Sequence, residues 1–166
     1  MITRNLVCDE HILIIILMKL HSYVFGTLAS IALVSPAIAG DGWLTDIDTA
    51  LAKAKEAKKD VFVEFTGSDW CGPCIAMHKN VFSKKEFLDN AGKSHILVSI
   101  DFPKKDPELS KKNEPIGEKY AIDGYPTVIL LTSDGKEYDR FYATEYPTVE
   151  KMLAQLKSSA DKKGME

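Results

Sequence analysis

Trp70-Cys71-Gly72-Pro73-Cys74, placed where an apolar run gives way to a helical pattern, is the stretch that most constrains this chain. The run Val61-Phe62-Val63-Glu64-Phe65 is apolar at nearly every position, which predicts a central strand buried on both faces. A short polar loop follows, and beyond Cys71 apolar residues recur at helical spacing. Two thiols three residues apart at a helix start lie close together, and the positive end of the helix favours thiolate over thiol. The rest of the chain is expected to position, supply or target that pair.

The 166 residues suit one domain plus a leader, and 45% hydrophobic against 27% charged residues exclude a disordered chain. A net charge of −3 gives no reason to expect a nucleic-acid partner. From Met18 the sequence has the pattern of a secretory signal: Lys19, an apolar core over Tyr23 to Val34, and the small-x-small ending Ala37-Ile38-Ala39. Residues 1–39 are thus expected to be a leader with its true start at Met18, and 40–166 the mature domain. The alternative is an uncleaved membrane anchor over residues 12–34, with Lys19 and His21 awkwardly near its middle. Cleavage removes Cys8 and leaves Cys71 and Cys74 as the cysteines of the mature chain. So small a loop is a poor structural staple, and redox exchange is the better reading.

Residues 46–59 predict a helix with Ile47, Leu51 and Ala54 inward and Thr45 or Asp46 as cap. A helix from Cys71 to about Asn90 is expected to be interrupted at Val81-Phe82-Ser83, with Ser83 capping a second segment. His95–Asp101 predicts a strand, and Phe102–Pro115 is a charged segment, with helices over 108–113 and 116–120 broken or kinked near Pro115. Two strands follow, over 127–132 and 137–142, joined by the turn Ser133-Asp134-Gly135-Lys136. A helix over 147–159 and a frayed tail from Ala160 close the chain. The fold class is α/β, a mixed four-stranded sheet with helices on both faces.

With Trp70-Cys71-Gly72-Pro73-Cys74, the acid Glu64 on the preceding strand and Tyr125-Pro126-Thr127 downstream, the chain resembles the thioredoxin superfamily over most of 43–158. Phe65 to Trp70 and Val81-Phe82-Ser83 are most similar to exported members and to the C-terminal domain of membrane thiol–disulfide interchange reductases. The spacing from Glu64 to Cys71 is one residue longer than in cytosolic thioredoxin, and Phe102–Pro115 looks like an insertion, either a docking element or a longer loop.

The resemblance implies a thioredoxin fold in which Cys71 attacks a client disulfide and Cys74 resolves the mixed disulfide. Glu64, in a buried strand, is a candidate proton acceptor for Cys74; alternatively the longer loop turns it to an edge, or a lysine satisfies it. Gly72-Pro73 between the cysteines implies a reductant. Pro126 is expected cis and facing the dithiol, with the Tyr125 backbone pairing with substrate and Trp70 lining the groove. Zinc wants four ligands, and only His78 and His95 remain as obvious additions to the two cysteines; redox exchange is the better reading, and no metal and no bound cofactor is expected beyond the redox-active pair. His78 reads as an exposed helix residue, and Met77, Phe82 and Phe87 as core. The expected protein is an exported, periplasmic disulfide reductase, a monomer, acting on protein or peptide disulfides and recharged by a membrane electron donor. A dithiol oxidase or isomerase, or a binding module with incidental cysteines, are the alternatives.

Overall fold

The computed structural model describes residues 38–39 and 42–164. The expected leader, its alternative as an anchor over 12–34 and the start at Met18 lie outside the described residues, apart from Ile38–Ala39. Among the described residues no helix is long and apolar enough to cross a membrane.

Among the described residues six strands form one mixed sheet in the order β1-β2-β4-β3-β5-β6, with β1 at Ile38–Ala39, β2 at Trp43–Leu44, β3 at Asp60–Thr66, β4 at His95–Asp101, β5 at Thr127–Leu131 and β6 at Glu137–Tyr142. The expected four strands are the contiguous run β4-β3-β5-β6, and the short pair β1-β2 extends the sheet beyond β4. Two-residue strands leave no alternating pattern in a sequence, so this addition was not predictable from periodicity. β3 runs parallel to β4 and antiparallel to β5, which places Glu64 beside Ser99 on one side and Val128 on the other.

Two apolar layers sandwich the sheet. Phe62, Leu97, Val128 and Leu130 face α2 (Gly72–Met77), a π-helical turn (His78–Phe82), α3 (Lys85–Ser94) and α5 (Val149–Lys163). Val61, Val63, Phe65 and Ile100 face α1 (Ile47–Ala57) and α4 (Pro107–Lys119). Met77, Phe82 and Phe87 are core as expected, and Trp43 joins them, edge-on to Phe62 and Phe82 at 5.8 Å. Asp46 caps α1 by accepting from the Thr49 amide at 2.7 Å.

Three local expectations are corrected. Ser83 does not cap α3: its backbone is helical, closing the π turn with Ser83 N–H donating to the His78 carbonyl, and the extended residue is Lys84. Pro115 does not break its segment, because α4 runs unbroken through it. Pro115 faces water, so the carbonyl it leaves without an amide partner can be hydrated, while Asn113 Nδ2 anchors the helix to the Asp101 carbonyl at 2.7 Å. The tail is not frayed at Ala160 either. α5 continues to Lys163, held by buried Ser159 donating to Asp139 and by Lys163 Nζ at 2.5 Å from Asp60.

Candidate functional site

β3 delivers the chain to the site and a tight turn reverses it. Cys71 N–H and Trp70 N–H both donate to the Gly67 carbonyl, and Cys71, with extended backbone, becomes the N-cap of α2. Its Sγ accepts from the Cys74 amide at 3.2 Å, the position in which a helix-start amide would stabilise a thiolate. Gly72 and Pro73 form the first helical positions, where the amide that proline lacks has no helical partner in any case. Cys71 and Cys74 are joined by a disulfide. Cys74 is 1% exposed and Cys71 6%, while Trp70 and Ile75 beside them are 40% and 46% exposed.

Trp70 is held from four sides. Its Nε1–H donates to the Phe102 carbonyl at 2.7 Å, Tyr125 meets it edge-on at 5.8 Å, Lys104 Nζ lies 4.8 Å from its ring, and Gly67 sits beneath it. A Cβ on Gly67 would come within 2.5 Å of the indole. Gly67→Ala is therefore expected to expel the ring from its place, lowering stability by about 1 kcal/mol or more. Denaturant unfolding with tryptophan emission checks this; wild-type stability and emission would contradict the packing.

The loop is also tied to the segment after β4. Asp69 accepts from the Lys104 and Lys105 amides at 2.9 and 2.7 Å, and these bonds hold its carboxyl below the usual aspartate range. Ser68 donates twice to Asp101, from N–H at 2.9 Å and from Oγ at 2.5 Å. The apparent insertion Phe102–Pro115 is thus a buttress of the cysteine loop and the lead into α4, which Asp106 caps.

The Tyr125–Pro126 peptide bond is cis, and Pro126 is buried, its carbonyl accepting from the Ala143 amide. The turn reaches the cysteine loop through Tyr125, which packs on both Trp70 and Phe102.

Glu64 lies on the central strand, 3% exposed, so the longer loop has not turned it to an edge. Together with Cys74, Thr66, Ser68, Ser99 and Asp101 it lines a cavity of about 270 Å³, with Ile75, His78 and Lys79 also at its wall. Burial, then the negative charge of Asp101, push the Glu64 carboxyl up to about 8, against a smaller downward pull from Thr66. The cysteine buried deeper therefore shares a cavity with an acid able to hold or release a proton near neutral pH.

His78 is exposed on the π turn. His95 is buried at the opposite end of β4 from Asp101, between the Ser94 and Tyr138 hydroxyls at 2.8 and 3.2 Å. Among the described residues no three His, Cys, Asp or Glu side chains are grouped to hold a metal. Sequence reasoning missed Asp101 and Ser68. A signal was present: Ser99 and Asp101 alternate on the final part of an apolar strand, in phase with Glu64 and Thr66 on its neighbour.

A thioredoxin fold with a Cys-Gly-Pro-Cys disulfide capping its second helix defines a class, and the chain belongs to the thioredoxin-like family, which it matches over residues 42–133. Among its relatives is the disulfide bond reductase DsbH of Chlamydia pneumoniae, 34% identical over 94 residues, covering 55% of this chain and 57% of that one. The thioredoxin-related protein DsbJ of the same organism is 33% identical over 101 residues, covering 59% of this chain and 29% of that one. The match thus spans less than two thirds of either relative. The solved structure of a DsbH oxidoreductase superposes with TM-score 0.63 at 27% identity, over 84% of this chain and 96% of that one. The oxidised C-terminal domain of Neisseria meningitidis DsbD superposes with TM-score 0.53 at 19% identity, over 70% of this chain and 98% of that one, a likeness of fold.

Proposed function

We propose that this protein is an exported thiol–disulfide oxidoreductase that reduces disulfides in other proteins, with Cys71 as nucleophile and Cys74 as resolving thiol. The observation that carries this reading is the Cys71–Cys74 pair itself, capped at a helix start and backed by a cavity shared by Cys74 and Glu64. The reductase named among its relatives supports the direction.

In the reduced protein, the Cys71 thiolate attacks one sulfur of the client disulfide; a Cys71–client disulfide forms and the other client sulfur leaves as thiolate. Cys74 then loses its proton to the Glu64 carboxylate and attacks Cys71 Sγ. The Cys71–Cys74 disulfide closes, the second client sulfur departs as thiolate, and two electrons have passed to the client. When a dithiol donor recharges the protein, the protonated Glu64 returns the proton to the departing Cys74 thiolate. The exposed faces of Trp70 and Ile75 offer a client chain apolar contact beside the sulfurs, and the backbone of Tyr125 offers it a pairing edge. The signal pattern at the N-terminus supports export, and a reductant outside the cytoplasm needs electrons from a membrane donor.

The reduction potential tests the direction. Equilibration with glutathione is expected to give a value below about −200 mV, in the range of thioredoxins and glutaredoxins. A value near or above about −150 mV, towards strong oxidants at about −120 mV, would make the protein a dithiol oxidase instead.

A further inference from the structure

We propose that Asp101 is a positioning residue for the exchange reaction: its carboxylate, clamped by Ser68 at the cavity wall, acts through Glu64 to govern proton transfer with Cys74. The inference rests on the reading of Glu64 as the proton partner of Cys74.

Register places the two acids together. Glu64 pairs with Ser99 and Thr66 with Asp101 on neighbouring parallel strands, so both acids stand on one face, a single pair-step apart. Strand spacing and rise put their Cα atoms roughly 8 Å apart. Both line the cavity that also reaches Cys74. Free to rotate, an aspartate at a strand end would turn to water and act weakly. Here one carboxylate oxygen accepts from Ser68 N–H and the other from Ser68 Oγ, which fixes the charge against the chamber.

The other groups facing Glu64 do not reproduce this. α2 and the π turn contribute Cys74, His78 and Lys79, the last two exposed to water that screens them, and β5 places Val128 opposite. A fixed negative charge nearby disfavours a second one, so Asp101 favours the protonated form of Glu64. That form holds the proton that Cys74 needs as its sulfur leaves. Asp101 also ties the cysteine loop to β4, so one residue couples the loop's position to the acid behind it.

The test uses the full chain and two readouts. In the disulfide form neither cysteine titrates, so the Glu64 carboxyl carbon followed by NMR reports its own ionisation. The second readout is the pH–rate profile for oxidation of the dithiol form by oxidised glutathione. Asp101→Asn keeps an acceptor for Ser68 but removes the charge. It is expected to move the Glu64 midpoint down from about 8 by about half a pH unit or more, and the rate profile with it. Ser68→Ala, which keeps the charge and loses the Oγ bond, and Asp101→Glu, which retains the charge, are expected to move both less. In a Glu64→Gln background, Asp101→Asn is expected to change the rate profile no further. An unmoved midpoint and profile in Asp101→Asn, or an equal rate effect of Asp101→Asn with and without Glu64, would overturn the proposal while leaving the role of Glu64 intact. A wild-type rate profile in Glu64→Gln would overturn the reading of Glu64, and the proposal with it.

Discussion

Glu64→Gln is expected to stabilise the disulfide form at alkaline pH by a few kcal/mol, with the gain shrinking as the pH falls. The sign follows from where the acid ionises. In the fold its carboxyl titrates at about 8 against an ordinary 4.5, so between those values the folded chain keeps a proton that the unfolded chain has released. Stability therefore falls as pH rises through that window, and the penalty is complete once Glu64 ionises in the fold as well. The gap between 4.5 and about 8 sets an upper limit of about 5 kcal/mol. Glutamine never ionises, so the variant's stability should lose most of this slope. Guanidinium unfolding across the range checks it: the two stability curves should diverge with rising pH, and parallel curves would contradict a buried, protonated Glu64. The same variant should exchange disulfides more slowly, because Cys74 then has no proton partner. On the proposed mechanism, an acid that destabilises the fold is kept in the cavity beside Cys74 for its proton chemistry.

Much of the site was legible because its parts are local. Cys71 and Cys74 share one helical turn, Glu64 breaks an otherwise apolar strand, and Tyr125-Pro126 sits in a turn. The parallel pairing of β3 with β4 and the β5–β6 hairpin follow from their connections, a helical crossover and a tight turn, whereas β5 runs antiparallel to β3 although a helix precedes it. What could not be read depends on partners far along the chain. Ser68 meets Asp101 and Asp69 meets Lys104 and Lys105 across more than thirty residues, so the buttressing by the charged segment was not visible in its own composition. α5 outlasts its apolar pattern because Ser159 and Lys163 find Asp139 and Asp60 on the sheet. Pro115 stays inside α4 because its ring faces water and Asn113, two residues earlier, is pinned to β4, a balance that intrinsic propensity does not contain.

The Cys71 and Cys74 variants bear most directly on the account. On the proposed mechanism Cys71→Ser removes the attacking sulfur, and turnover is expected to fall by about a thousandfold or more. Cys74→Ser leaves the attack intact and removes the second step, so the Cys71–client disulfide should persist. The decisive measurement is acid-quenched, non-reducing electrophoresis of Cys74→Ser recovered from the cells that produce it. Covalent adducts with other proteins, dissolved by dithiothreitol and absent when Cys71 is also serine, are expected. Cys74→Ser free of any adduct, together with full turnover in Cys71→Ser, would contradict the proposed mechanism.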